Sequence, residues 1–323
     1  MPFSHHSHSG EFCPSHARNS LEEVIQKAIA QGMETFCLSE HMPRSADQLY
    51  QEEVEAGFTS DWFVTNEAEY FKKAVQMRNK YVSKINIIIG FESEWIEAAE
   101  SLILINDSLA RFPFEFFVGS VHHVHHVPID LGRDLYLQAR EISGGTEERI
   151  FEDYFEAQFD MLRHLKPPVV GHFDLIRLYC DDPDLQNGGF KTWPRVWEMV
   201  LRNLKFISCY GGLLELNSAA LRKGLNMPYP AADICQEFLN LQGRFCLSDD
   251  SHGIDHVGSN YHELLEFMQQ QGINELHHLE LSSTEGDEGV DARFPRTLCK
   301  SRSITEVKEM VYWRNLTEHN AKI

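Results

Sequence analysis

The sequence predicts an α/β fold in which residues 1–323 form a single domain, a barrel of parallel strands. Short apolar runs alternate with helical segments of ~10–15 residues along almost the whole chain, which is typical of βαβ units. Charged and imidazole side chains follow the ends of successive apolar runs, and in a parallel barrel those ends open on one face. Roughly seven or eight such units favour a barrel over an open sheet.

The predicted elements alternate in order along the chain. Ser20 and Glu23 form a capping box at the start of the first helix, and Gly32 provides its C-terminal stop. The long helix over 147–165 carries apolar residues mainly at i, i+4 spacing. The predicted strands are 2–5, 35–39, 85–91, 115–121, 168–171, 212–216, 244–248 and 277–282. The predicted helices are 21–31, 66–83, 96–110, 147–165, 194–208, 230–241, 260–271 and 303–314.

Two connections, 43–65 and 124–146, are longer than strand–helix packing requires. Both would leave from the face at which the strands end, where long loops usually act as lids or substrate walls. The segment 283–300 is a third candidate for this role.

The composition limits the classes of partner. The formal net charge of −20 repels phosphate backbones and anionic membranes, so we expect neither nucleic acid nor membrane as a partner. Seven cysteines without CxxC spacing indicate reduced thiols. No apolar run approaches ~18 residues and no apolar signal-peptide core is present, so we expect a cytoplasmic protein.

The first candidate metal-binding residues in the sequence are a pair of histidines. In an extended strand His6 and His8 point to the same side, so both imidazoles can reach one metal ion, whereas His5 points away. The alternative is the remnant of an affinity tag, which normally has an unbroken histidine run. His16 lies in the polar loop that follows, and the alternative for it is a solvated loop histidine.

Carboxylates end the next two strands. His41 is a predicted ligand and Glu40 is expected to orient an imidazole or hold water. Glu92 follows a run of isoleucines and is predicted to bridge two metal ions, because a carboxylate offers two oxygens. Glu94 could face the same way, and the pattern does not separate it from Glu92.

Later predicted strands are also followed by side chains that can bind a metal ion. His122 is preferred as a ligand because it lies closest to its strand end, and His172 ends the next strand. Asp250 and His252 repeat the i, i+2 spacing, whereas Asp249 would point the other way. The remaining histidines of the HHVHH segment are expected to be solvated, to support ligands or to face substrate: His123, His125 and His126.

Two arginines follow strand ends and could grip a phosphate group. Arg177 lies after His172, and Arg222 lies in "ELNSAALRKG". A guanidinium group presents a planar fork that matches phosphate oxygens. Most arginines are solvated surface groups, so this prediction depends on the neighbouring metal motifs.

In this order the motifs HxH, [T/S][D/E]H, GxE, GSVH, GHxD and SDxSH resemble the polymerase and histidinol phosphatase (PHP) superfamily. Within it, segments such as "SHHSHSG", "GFESEW", "GHFDLIRLY" and "LSDDSHG" are similar to the monofunctional histidinol-phosphate phosphatases, particularly the fungal type. The resemblance covers about residues 3–262. It departs from many members at Glu40, where aspartate is common.

The resemblance implies a distorted (β/α)7 barrel with a trinuclear divalent metal site that holds zinc, iron or manganese. It implies hydrolysis of L-histidinol phosphate to L-histidinol and phosphate in histidine biosynthesis. Arg177 and Arg222 would bind the phosphate, and Glu92, Asp250 and His252 would be catalytic. The implied ligands are His6, His8, His16, His41, Glu92, His122, His172, Asp250 and His252.

The hypothesis from the sequence is therefore attack on phosphorus by a hydroxide that bridges metal ions. One alternative is another phosphoesterase of the superfamily, acting on nucleotide or sugar phosphates. A second alternative is a metal-binding protein without catalysis, against which the two phosphate-matching arginines argue.

Overall fold

A computed structural model describes residues 2–14, 16–282, 290–310 and 312–313. Seven parallel strands form one sheet in the order β1-β2-β3-β4-β7-β8-β9. Their bounds are β1 Phe3–Ser4, β2 Thr35–Leu38, β3 Asn86–Glu94, β4 Phe116–Ser120, β7 Val169–Val170, β8 Leu213–Asn217 and β9 Arg244–Ser248. The smaller strands are β5 His123–Val124, β6 Val127–Pro128, β10 Glu275–Leu281 and β11 Thr297–Ser303.

The first and last strands of the sheet meet, which nearly closes the barrel. The backbone N–H of His5 donates to Leu247 O at 3.1 Å, and Ser7 and Ser251 form a parallel bridge further along. The distorted seven-stranded barrel is thus confirmed, and the chemistry-bearing ends of its strands share one face.

Helices cover the outside of the barrel. Ser20 and Glu23 form the predicted capping box of the first helix, and Gly32 ends it with a left-handed φ of 84°. The helices are α1 Leu21–Gln31, α2 Gln51–Glu55, α3 Ser60–Tyr81, α4 Ala98–Arg111, α5 Arg133–Ile142, α6 Glu147–Leu165, α7 Pro194–Tyr210, α8 Ala219–Arg222, α9 Ala232–Asn240, α10 Tyr261–Gln270 and α11 Ile304–Lys308. Among the described residues, no helix combines the length and apolar character needed to cross a bilayer.

The strand predicted over 277–282 is present as β10, but it does not join the parallel series as an eighth strand. β10 pairs antiparallel with β11, a strand that the sequence analysis did not predict. Because β1 already meets β9, the barrel has no open edge for another strand. Instead, Leu279 of β10 packs in a cluster with buried residues of the barrel strands, including Cys37, Ile88 and Cys246.

The segment 283–300 is also not placed as the sequence suggested. Its described part lies at the amino-terminal ends of the strands: Arg293 donates to Leu165 O and Lys166 O, and Thr297 donates to Glu115 O. Residues 283–289 lie outside the described residues. Within the predicted helix over 303–314, α11 ends at Lys308, a turn follows at residues 309 and 310, and Tyr312 and Trp313 are again helical, whereas residues 311 and 314 lie outside the described residues.

The two long connections contain structure of their own. The 43–65 segment includes α2 and the first turn of α3, and the 124–146 segment includes most of a β5–β6 hairpin and α5. Tyr50 from the first segment, and Asp130 and Leu131 from the second, line a cavity at the carboxyl ends of the strands. Both segments therefore contribute walls to this cavity.

Candidate metal centre

The chain beyond β1 turns two imidazoles toward the inside of the barrel mouth. The ring centroids of His6 and His8 lie 5.0 Å apart. His5 points elsewhere: its Nδ1 lies 2.9 Å from Leu247 O, and its Nε2 accepts from the backbone N–H of Leu279. The alternation of an extended chain accounts for this difference.

Glu92 lies at the centre of the site, and both of its carboxylate oxygens are surrounded by imidazole nitrogens. Three nitrogens approach Oε2: His6 Nε2 at 3.1 Å, His8 Nε2 at 3.3 Å and His41 Nδ1 at 3.2 Å. Two approach Oε1: His122 Nε2 at 3.3 Å and His172 Nε2 at 3.1 Å. Glu92 thus stands between two sets of imidazoles, in the position that a bridging carboxylate would need.

Asp250 adds a carboxylate from the end of β9. Its Oδ1 lies 3.6 Å from Nε2 of both His6 and His8. The Nδ1–H of His252 donates to the backbone oxygen of Asp250 at 3.0 Å, which leaves the other ring nitrogen free of that contact. Asp249 points away and accepts hydrogen bonds from Ser4 and from two backbone N–H groups.

Three overlapping groups of side chains could each hold a metal ion, and their ligand atoms lie within 4.8 Å of one another within each group: His8, His41 and His252; His6, His8 and Asp250; His6, Glu92 and His172. Several buried ring nitrogens have no hydrogen-bond partner: His6 Nε2, His8 Nδ1, His8 Nε2, His41 Nδ1 and His172 Nδ1. Such orphaned atoms are uncommon in proteins unless an ion or water completes them. Imidazole and carboxylate donors together fit zinc, iron or manganese.

Two predicted ligands lie outside these three groups. His122 is close by, with Nε2 at 3.1 Å from His172 Nε2, and its Nδ1 lies 2.9 Å from Glu94 Oε2. His16 also lines the cavity, and its ring centroid lies 6.4 Å from that of His41. Their roles as ligands remain predictions.

The structure does not place Arg177 among the residues that line the cavity, and its phosphate-binding role stays a prediction. Its fully buried guanidinium pairs with Asp174 and donates to the backbone oxygens of Pro183, Met227 and Pro228. A short 3₁₀ turn over Leu175–Tyr179 carries it away from the strand end. Arg177 therefore fixes the loops below the site, with its donors already engaged.

Arg222 does line the cavity. Its guanidinium donates to the backbone oxygens of Asp249 and Asp250, both at 2.9 Å, and to Ser259 Oγ at 3.3 Å. These contacts use three of its five N–H bonds. Lys223, which the sequence analysis did not single out, lines the same cavity.

Glu215 is a buried carboxylate that the sequence analysis missed. Its Oε1 lies 3.0 Å from His6 Nδ1. Its Oε2 accepts from the backbone N–H of His172 at 3.0 Å and from Asn217 Nδ2 at 3.1 Å. A glutamate inside the apolar strand "LLELN" was the available signal, because an unpaired buried carboxylate is costly.

Two further glutamates support imidazoles. Glu94 Oε1 lies 3.1 Å from His41 Nδ1, so this side chain faces the site together with Glu92. Glu40 accepts from the backbone N–H and the hydroxyl of Ser9, and its other oxygen lies 3.9 Å from His8 Nδ1.

The electrostatics of the site follow from this packing. Burial alone would lower the pKa of His8, but the adjacent carboxylates of Asp250 and Glu92 outweigh it and raise the pKa to about 9. Burial would raise the pKa of Glu92, but the surrounding imidazoles, His6 foremost, hold it well below its usual range. Burial raises the pKa of Glu40 to about 7 despite the nearby His8. Without cations His8 therefore holds a proton at neutral pH that a bound cation would displace.

The cavity has a volume of about 480 Å³. Its lining combines Glu92, Asp250 and five of the predicted ligand imidazoles with the cations Arg222 and Lys223. With cations held by its carboxylates and imidazoles, this lining would match a small anion with several oxygens.

The PHP domain family model matches residues 4–219. The chain belongs to the PHP family. It is 42% identical to the "Probable histidinol-phosphatase" of Schizosaccharomyces pombe, with 85% of this chain and 89% of that protein covered. It is 34% identical to the histidinol-phosphatase of Saccharomyces cerevisiae, with 82% of this chain and 87% of that protein covered.

Solved structures of PHP-type proteins have the same fold. A Listeria monocytogenes protein superposes with a TM-score of 0.68 at 24% identity, covering 81% of this chain and 99% of that one. The histidinol phosphate phosphatase of Lactococcus lactis, solved with zinc, L-histidinol and phosphate, superposes with a TM-score of 0.64 at 23% identity, covering 85% and 95%. These likenesses confirm the predicted fold class.

Proposed function

We propose that this protein hydrolyses L-histidinol phosphate to L-histidinol and phosphate, and thereby serves histidine biosynthesis. The observation that carries the proposal is Glu92, whose two oxygens are surrounded by five imidazoles in a cavity that also presents Arg222 and Lys223. The identity of 42% and 34% to two fungal proteins named for this activity supports the choice of substrate.

The residues that would hold divalent cations are those that end the barrel strands. They are His6, His8, His16, His41, Glu92, His122, His172, Asp250 and His252. Three overlapping groups suit three cations, and zinc, iron and manganese all accept such ligands. When bound, the cations would lower the pKa of a water molecule and neutralise charge on the phosphate oxygens.

The chain's own groups position the substrate and the ligands. Arg222 and Lys223 bind non-bridging phosphate oxygens, with Arg222 held in place by the backbone oxygens at the end of β9. Glu215 holds His6, and the Asp250 backbone holds His252, so that each presents one ring nitrogen inward. Tyr50 and Leu131 form walls that exclude bulk water. Positioning and charge stabilisation supply most of the acceleration of such reactions.

The test is a substrate panel measured on protein of known metal content. Purified protein is assayed for phosphate release from L-histidinol phosphate, nucleoside monophosphates and sugar phosphates, before and after chelation and after metal is restored. A strong preference for L-histidinol phosphate that is lost on chelation and returns with metal supports the proposal. Equal activity on all phosphate esters, or activity on nucleotides alone, refutes it in favour of another phosphoesterase.

We also propose a cytoplasmic location and no nucleic-acid partner. All seven cysteines are unpaired, as expected in a reducing compartment, and five of them are buried. The net charge of −20 opposes association with nucleic acid.

A further inference from the structure

Asp130 lines the same cavity as Glu92 and Asp250 but belongs to none of the three metal-binding groups found among the described residues. The backbone N–H of Ile129 donates to His122 O at 2.9 Å, which places Asp130 beside the end of β4. Its Oδ1 is buried and has no hydrogen-bond partner. Because an unpaired buried carboxylate oxygen is costly, this position calls for a donor that the protein does not supply.

The charges of the cavity come from different sides of the barrel mouth. Asp130 lies in the connection after β4, whereas Arg222 and Lys223 follow β8. In the sheet order, β7 separates β4 from β8. The cavity therefore presents cations on one side and a carboxylate outside the metal-binding groups on another.

This division matches the proposed substrate, on which the inference rests. In L-histidinol phosphate the ammonium group is on the carbon next to the one that bears the phosphate ester. An ammonium group has three donors and needs acceptors close to the phosphate site. We propose that Asp130 accepts the substrate's ammonium group and thereby selects an amino-alcohol phosphate over phosphate esters that lack the amine.

Two other acids are less well placed. Asp47 and Glu52 line a neighbouring cavity of about 290 Å³, which shares Tyr50 and Leu131 with the first. Neither of these acids lines the cavity that contains Glu92, whereas Asp130 does. Asp47 also already accepts a hydrogen bond from Ser45 Oγ at 2.8 Å.

The experiment compares two substrates in one variant. Asp130→Asn keeps the shape and removes the charge. Metal-loaded wild type and variant are assayed with L-histidinol phosphate and with 3-(imidazol-4-yl)propyl phosphate, which lacks the amine. We divide kcat/KM for L-histidinol phosphate by kcat/KM for the substrate without the amine. We expect this ratio to fall about 10- to 100-fold in the variant, as for loss of a charged hydrogen bond, mainly because KM for L-histidinol phosphate rises.

Asp134→Asn is the matched control, because Asp134 is an exposed acid at the start of α5 in the same connection. Its substrate ratio should equal that of the wild type. An unchanged ratio in Asp130→Asn overturns the inference, as does an equal loss on both substrates with loss of metal. A fall of the ratio in Asp47→Asn instead would also overturn it. If metal-loaded wild type fails to hydrolyse L-histidinol phosphate, the proposed function itself fails.

Discussion

Glu215→Gln tests whether an outer carboxylate sets the metal affinity of the site through one imidazole. Glu215 Oε1 lies 3.0 Å from His6 Nδ1, while His6 Nε2 faces Glu92 and Asp250 at 3.1 and 3.6 Å. A carboxylate only accepts hydrogen bonds, so it keeps the proton on Nδ1 and leaves the Nε2 lone pair for a cation.

In the glutamine variant we expect the ring proton of His6 to lie on Nε2 and no longer on Nδ1. The amide oxygen must stay on the side that accepts from the His172 N–H and from Asn217 Nδ2, because an amide nitrogen cannot accept. The amide nitrogen then faces His6 Nδ1 and donates to it, which moves the ring proton to Nε2. We expect metal affinity to fall about 10- to 100-fold, equivalent to about 1.4 to 2.8 kcal/mol.

The assay is competition between the protein and a chromophoric chelator for zinc. Glu115→Gln is the control, because Glu115 accepts from the backbone N–H of Ile89 at the opposite end of the barrel. It should change unfolding stability without changing zinc affinity. Zinc affinity of Glu215→Gln within about twofold of the wild type would refute the tautomer argument.

Three other outcomes follow from the same geometry. Glu92→Gln should lower kcat by at least about a hundredfold with loss of metal, since a central ligand matters more than an outer partner; near-native kcat at full metal content would contradict its role. Arg222→Gln should lower kcat/KM about 10- to 100-fold, whereas Arg177→Gln should cost about 3–5 kcal/mol in denaturant unfolding with little change in KM, because it breaks a buried ion pair. The opposite results, with kcat/KM lowered in Arg177→Gln and only stability lowered in Arg222→Gln, would support Arg177 as the phosphate-binding group. Chelation should lower the free energy of unfolding by about 4 kcal/mol for each cation held at a thousandfold excess over its Kd, and so lower the denaturation midpoint. An unchanged midpoint would count against bound cations.

The sequence was sufficient to predict the convergence of the site. Most candidate ligands lie at or just beyond the carboxyl end of a strand, and parallel strands direct these ends to one face. The i, i+2 spacing also predicted that His6 and His8 point together while His5 points away. These predictions depend only on local rules, and the same rules hold in the folded barrel.

The parts that the sequence could not predict depend on non-local packing. Closure of the barrel by β1 and β9 decided that β10 could not be an eighth parallel strand, and periodicity carries no information about closure. Arg177 has the right position in sequence, but its direction depends on a turn and on carbonyls of residues 227 and 228, some fifty positions away. Glu215 lies inside β8 and not beyond its end, so its contact with His6 depends on how the strands meet in the closed barrel.

The most direct test of the account is stepwise metal restoration. Metal-free protein receives zinc or manganese in increments, and phosphate release from L-histidinol phosphate and bound metal are measured on the same samples. The account predicts no activity in the metal-free protein and activity that rises with occupancy of the three ligand groups. Full activity without metal, or protein that binds the metal yet never releases phosphate, would contradict it.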